Sequence, residues 1–189
     1  MPKDRKQIIL QSLAKLLEER DATKITTAVL AAESGITEAA LYRHFPSKRS
    51  IYAELFTFCD EAIFTKCNEL KKSKIASKEK VKNTYMFFML FVEKNKGFAR
   101  LLSREALSSN EQNVSDNVNQ FFERLELVLR QMLKESENEL RTQAGISAQL
   151  IVTVLEGNIS RFIRSKFKDS PSSYIENIWK ILEINIFKN

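Results

Sequence analysis

Between Thr26 and Lys48 the chain sets hydroxyl, phenol, imidazole, guanidinium and ammonium groups at spacings that suit a nucleic acid. Tyr42, His44 and Lys48 are donors for phosphate oxygens, and Thr26 and Thr27 add hydroxyls for the flanking backbone. Thr37, Glu38, Ala39, Ala40 and Arg43 occupy the stretch that would meet base edges. Alanine methyls suit the thymine methyl group, and threonine serves several bases. Glu38 either accepts from cytosine N4 or simply favours the positive end of a helix. Each residue alone has a plainer role: Thr37 as a cap, His44 as a structural imidazole, Arg43 as a solvated cation. Their joint spacing is what points to DNA.

Those groups need short helices and a tight turn to hold them. Thr26 or Thr27 caps a first helix with Val29, Leu30 and Ala32 inward, and Gly35 tolerates the positive φ of the turn. Thr37 caps a second helix with Ala40, Leu41 and Phe45 inward; Pro46 ends it and Ser47 caps the next. This is a helix-turn-helix, which places its second helix in the major groove. A helix from Arg5 to Glu19, with Ile9, Leu13, Leu16 and Leu17 at helical spacing, completes a three-helix head over residues 1–49.

Residues 50–189 read as a helical body. A helix from Ser47 to Lys71 or Lys72 is roughly 35 Å long at helical rise and connects head to body. Ser77 opens a fifth helix to Lys94, which Asn95-Lys96-Gly97 ends. A short helix over Phe98–Leu107 and a polar loop over Ser108–Asn113 follow. Further helices span about Val114–Leu133 and Ser147–Phe167, and a last one carries Ile175, Ile178, Trp179, Ile181 and Leu182. With 4 glycines and 3 prolines in 189 residues, the expected class is all-α with about nine helices.

The net charge of +6 suits an anionic partner but is too small to identify one. Cys59 and Cys67 lie about 12 Å apart along one helix, beyond disulfide reach, and lack the histidines of a metal site. They read as cysteines of a reducing cytosol. No apolar run approaches the roughly 20 residues of a membrane span, so the protein is expected to be cytoplasmic, with no membrane partner, metal or cofactor. Walker loops, HExxH and Gly-rich nucleotide turns are absent, so no enzyme is expected.

The stretch Leu41-Tyr42-Arg43-His44-Phe45-Pro46-Ser47-Lys48 resembles the signature of the TetR-type transcriptional regulators. Phe122-Glu123-Arg124-Leu125-Glu126 and Ser160-Arg161-Phe162-Ile163-Arg164-Ser165-Lys166-Phe167-Lys168 lie outside that head and resemble the nucleoid occlusion factors of gamma-proteobacteria within it. The resemblance implies a nucleoid-associated homodimer on palindromic duplex DNA that binds FtsZ and disrupts its polymers. It places the FtsZ C-terminal tail in a groove matching Phe58, Lys66, Phe87, Leu90, Lys94 and Asn95. Here lysine stands where that pattern has arginine at 66 and 94, and leucine where it has glycine at 90. Lysine lacks the planar fork for a bidentate carboxylate.

The seventh and eighth helices of each subunit would form a four-helix bundle with their mates, with Phe121, Leu125, Val128 and Phe162 between core and interface. The competing expectation is a conventional repressor with an apolar effector lined by Met86-Phe87-Phe88-Met89-Leu90-Phe91. Few polar groups there would orient a ligand, so no small-molecule effector is expected. A helical adaptor that ignores DNA is a third possibility, and it leaves the basic end of the second helix unexplained.

Overall fold

One face of α1 (Arg5–Glu19) carries Ile9, Leu13, Leu16 and Leu17, all fully buried, at the spacing that puts them on a single stripe. The computed structural model describes residues 5–19, 24–107 and 112–188. Among these the chain is helical: α2 (Thr27–Glu33), α3 (Glu38–His44), α4 (Lys48–Lys72), α5 (Ser77–Lys94), α6 (Lys96–Leu102), α7 (Gln112–Lys134), α8 (Ala144–Arg164) and α9 (Ile175–Ile186) follow α1. Among the described residues, 3-10 turns also stand at Glu137–Glu139 and Pro171–Ser173, and Leu140 and Phe187 form an isolated bridge.

The helices form two compact units, the first from residues 1–60 with 95–118 and the second from 61–94 with 119–189. The first unit is larger than the three-helix head, because α6 returns from later in the chain to pack along α1. Gly97 permits that approach. A Cβ on it would lie 2.7 Å from the Ala14 carbonyl oxygen and 3.2 Å from Ala14 Cα. The sequence places Gly97 at the end of the fifth helix, but it sits inside α6, and its role is steric fit. Phe56 and Phe98 pack with ring centroids 5.9 Å apart, and Lys15 pairs with Glu33 at 2.7 Å to tie α1 to α2.

In the second unit Phe121 is the hub. Its ring lies 5.3 Å from Phe64, 5.9 Å from Phe88 and 5.3 Å from Phe122. The Arg124 guanidinium sits 3.6 Å over the Phe64 ring, joining α7 to α4. Lys80 is buried yet satisfied: its Nζ donates to Glu135 at 2.6 Å and to the Lys71 carbonyl at 3.0 Å, closing the C-terminal end of α4. Asn158 Nδ2 donates to the Tyr85 hydroxyl at 3.3 Å, so the one buried amide of α8 has a partner in the core. Glu93 accepts from both the N–H and the hydroxyl of Ser172, at 2.7 and 2.8 Å, holding the 3-10 turn before α9.

Several boundaries differ from the sequence reading. In α2 the inward residues are Leu30 and Ala31, while Val29 is half-buried and Ala32 exposed. The expected set mixed two helix faces; 27, 30, 31 and 34 share one. The sixth helix stops at Leu102 rather than Leu107, since Arg104 is left-handed at φ 63. The eighth ends at Arg164 rather than Phe167, where Lys166 and Phe167 turn left-handed at φ 54 and 62. Residues 108–111 of the expected polar loop lie outside the described residues, and Gln112 and Asn113 already belong to α7.

Gly97→Ala separates two opposed effects. Helix propensity alone would favour alanine by about 1 kcal/mol, but a backbone oxygen at 2.7 Å cannot yield as a flexible side chain would. The expected net result is a loss of roughly 1–3 kcal/mol, read as a lower urea midpoint at unchanged slope.

Candidate DNA-reading surface and partner groove

The turn before α3 is built by main-chain bonds. Gly35 N–H donates to the Ala32 carbonyl at 3.1 Å and Ile36 N–H to the Ala31 carbonyl at 3.0 Å, with Gly35 at φ +66. This double closure is the Schellman motif, which calls for glycine at the left-handed position. Thr37 then stands at φ −79, ψ 156, and its Oγ1 accepts from Ala40 N–H at 3.2 Å. Thr26 caps α2 in the same way, accepting from Val29 N–H at 3.2 Å. Phe45 is extended at φ −137, as the residue before a proline must be, so α3 ends at His44. Ser47 and Ser50 cap each other at the start of α4, at 3.1 and 3.2 Å.

This scaffold buries Leu41 and Phe45 and leaves Thr37, Glu38, Ala39, Tyr42 and Arg43 exposed on one side of α3. Ala40, His44 and Lys48 are half-buried. The Tyr42 hydroxyl donates to Thr27 Oγ1 at 3.4 Å, bringing the phenol beside the two threonines that open α2. Lys48 Nζ lies 5.2 Å over the Tyr52 ring. Capping does not remove Thr26 and Thr37 from the surface, because the capping bond uses an oxygen lone pair and leaves the hydroxyl proton to donate. Thus the ten residues chosen from sequence are held on α2, α3 and the first turn of α4, within one unit.

The groove residues divide between the two units. In the first, Phe58 is 60% exposed, an unusual state for an aromatic on a well-packed helix. Phe58 and Asn95 line an open, mainly apolar cavity of about 260 Å³ whose walls include Leu10, Ala14, Leu55 and Phe98. Sequence reasoning missed the α1 side of this cavity. The available signal was a second apolar pair, Leu10 and Ala14, four residues apart and beside the core stripe of α1. In the second unit Phe87, Leu90 and Lys94 follow one another along α5, with Leu90 39% exposed and the Phe87 ring 5.9 Å from Phe91. Lys66 pairs with Glu69 at 3.1 Å on the surface of α4. Such an exposed pair is worth about 0–1 kcal/mol, so it leaves Lys66 able to exchange partners.

The four residues assigned to the dimer interface occupy the interior of the single chain. Phe121, Leu125 and Phe162 are no more than 1% exposed and Val128 is 8%. They hold the second unit together and offer little to a second copy. Exposed apolar side chains stand instead at Leu127 on α7, Ile146 and Leu150 on α8, and Ile181 and Ile184 on α9. Core and interface positions alternate on the same amphipathic helices, which is why spacing alone did not separate them.

Cys59 and Cys67 are buried, and burial pushes each thiol up to about 12, with the Asp60 charge adding to the effect at Cys59. At neutral pH both are protonated, poor nucleophiles and poor metal ligands. Among the described residues no group of His, Cys, Asp and Glu could hold a metal ion, and no helix is long and apolar enough to cross a membrane.

A three-helix head with an exposed α3, carried on a helical body, defines a DNA-binding regulator. Residues 9–55 match the family described as bacterial regulatory proteins of the tetR family, and residues 77–186 match the SlmA-like, tetracyclin repressor-like C-terminal domain. The Bacillus subtilis transcriptional regulator FadR, solved with stearoyl-CoA, has the same fold at a TM-score of 0.78, with 15% identity, 95% of this chain and 98% of that one covered. The nucleoid occlusion factor SlmA of Vibrio campbellii is 37% identical over 188 residues, covering 97% of this chain and 96% of its own. That of Cronobacter sakazakii is 38% identical over 185 residues, covering 95% and 93%. The chain belongs to the SlmA family of TetR-type regulators, and it is a DNA-binding regulator rather than an enzyme.

Replacing the α3 cap tests how much the surface depends on one hydroxyl. Thr37→Ala is expected to destabilise the chain by about 1 kcal/mol and to weaken DNA binding, whereas Thr37→Ser, which keeps the capping oxygen, retains most of both. Thermal unfolding and a gel-shift titration of the two variants read the difference.

Proposed function

We propose that the chain acts as a nucleoid occlusion factor. As a homodimer on palindromic chromosomal sites it reads bases through α3, captures the C-terminal tail of FtsZ and disrupts FtsZ polymers over the nucleoid. Its kinship to proteins named for nucleoid occlusion favours this role over that of a local repressor. The observation that carries the partner half is Phe58, 60% exposed beside an open apolar cavity. An exposed aromatic next to a pocket is the pattern of a peptide anchor site. Lys66 and Lys94 supply positive charge for an acidic peptide, as independent cations rather than forks. The cluster Met86 to Phe91 gives less support to an effector site, because Phe88 and Met89 are fully buried and Phe88 packs on Phe121.

A fluorescently labelled FtsZ C-terminal peptide provides the direct test. Phe58→Ala should weaken its binding by about tenfold or more, the usual scale for an aromatic anchor, and the Lys66→Glu, Lys94→Glu double variant should abolish it at physiological salt. Wild-type peptide affinity in both variants would remove the groove from the mechanism.

The dimer face is drawn from α8 and α9. Ile146 and Leu150 begin an exposed stripe that reaches Gly157 two turns later, and Ile181 and Ile184 add apolar surface on α9. Covering such side chains stabilises association by about 1.5–3 kcal/mol each. Gly157 is exposed in mid-helix, and an added Cβ there would meet nothing within 4 Å. Within one chain this glycine lowers helix stability by about 1 kcal/mol with no local return; close approach of a second α8 supplies the reason for it. Gly157→Ala should therefore raise the stability of the single subunit while raising the dimer dissociation constant by roughly tenfold, about 1.4 kcal/mol. Sedimentation equilibrium with thermal unfolding measures both, and a stabilised variant that dimerises normally excludes the α8 face.

A further inference from the structure

The segment Ser160–Lys168 serves neither the head nor the groove. At its centre α8 closes with the same main-chain motif that closes α2. Lys166 N–H donates to the Ile163 carbonyl at 2.8 Å and Phe167 N–H to the Phe162 carbonyl at 2.9 Å. The Phe162 and Phe167 rings meet edge to face, 5.0 Å apart, which is the apolar contact that accompanies a Schellman closure. α2 uses glycine at the left-handed position, Gly35 at φ +66; α8 uses Lys166 at φ 54, followed by Phe167 at φ 62. A side chain with a Cβ is strained there. Both closing bonds are made by main-chain atoms, so the ammonium contributes nothing to the turn. Phe167 shares the left-handed backbone of this turn, so the turn leaves the Lys166 ammonium uncommitted rather than requiring it.

The surroundings say what that ammonium is suited to. Arg161, Arg164, Lys166 and Lys168 are all exposed, and the sequence has no acidic residue between Glu156 and Asp169. Asp169 lies 3.4 Å from Arg161, at the edge of the group, and Arg164 donates to Ser160 Oγ at 3.0 Å. Ser165 Oγ accepts from the N–H groups of Lys168 and Asp169, at 3.2 and 3.0 Å, which fixes the chain carrying Lys168. The large apolar side chains are turned to packing: Phe162 and Ile163 are buried, and Phe167 covers Phe162. The surface thus presents charge without an apolar anchor. Peptide capture relies on buried aromatic or aliphatic anchors, and adsorption to lipid relies on apolar insertion as well as charge. A phosphodiester backbone needs charge alone.

We propose that the end of α8 is a second, sequence-independent site for the phosphate backbone of duplex DNA, with Lys166 and Lys168 as its principal cations and Arg164 beside them. It acts in addition to base reading by α3 and persists when that reading is lost.

The test uses the full chain and random-sequence duplex DNA over a salt series, with Lys166→Gly and Lys168→Gln made singly and together. The pair is also made in a Tyr42→Ala, Arg43→Ala background, which disables the head. Removing two phosphate contacts should lower the slope of log affinity against log salt by roughly 1.8, and weaken random-sequence binding about tenfold in both backgrounds. Lys166→Gly alone should raise the melting temperature, which separates loss of charge from loss of fold. An unchanged slope in both backgrounds overturns the proposal. So does a lowered melting temperature for Lys166→Gly, which would make the side chain structural. Loss of binding only to phosphatidylglycerol vesicles or only to a polyglutamate peptide, with DNA binding intact, overturns it too.

Discussion

The close contact between α1 and α6 is the constraint on which the first unit depends. α6 reaches α1 only because Gly97 has no Cβ, and the closest atom is the Ala14 carbonyl oxygen, part of the backbone of α1. α1 in turn packs against α2 and α3, whose exposed residues are the candidate DNA-reading surface. The same helix supplies Leu10 and Ala14 to the cavity beside Phe58. One helix is therefore a shared wall for two surfaces. A change in how α6 sits on α1 would be felt at both, because packed interiors transmit displacement rather than absorb it.

The head was the most legible part of the chain because its signals are local. Caps, a left-handed glycine and a proline act on their immediate neighbours, so Thr26, Gly35, Thr37 and Pro46 placed α2 and α3 correctly. The outward positions of α3 followed, since with Leu41 and Phe45 buried the exposed side of a seven-residue helix is fixed. The body was legible in helix number and less so in detail. Helix ends at Leu102 and Arg164 depend on left-handed residues of types, arginine and lysine, that carry no such signal in sequence. Phe121, Leu125, Val128 and Phe162 show the other limit. Helical spacing marks them as inward, but whether inward means the chain's own core or a neighbour is settled by tertiary packing. The α1 wall of the cavity was hidden for a related reason: α1 and α6 are far apart in sequence and meet only through the fold.

Buried polar groups show how the second unit stays specific without many of them. Lys80 reaches both a carboxylate and the last turn of α4, and Asn158 reaches Tyr85. Each has a partner on another helix, so a shift in helix register would leave a charge or an amide unsatisfied in the interior. That penalty exceeds the modest net gain of the bonds themselves. These contacts thus contribute more to the uniqueness of the packing than to its total stability, which rests on the aromatic cluster around Phe121.

Phe58 exposes an aromatic, Gly157 weakens the middle of a helix, and Lys166 holds a side chain in left-handed backbone, as Arg104 and Phe167 also do. These features are of different kinds, an apolar surface, a missing Cβ and a fixed cation, and each kind matches a different partner chemistry. An apolar surface suits a peptide anchor, a bare backbone suits the close approach of another helix, and a cation without an apolar neighbour suits phosphate. A chain that binds itself, a protein tail and DNA would need three separate departures of this sort, since no one surface satisfies all three chemistries.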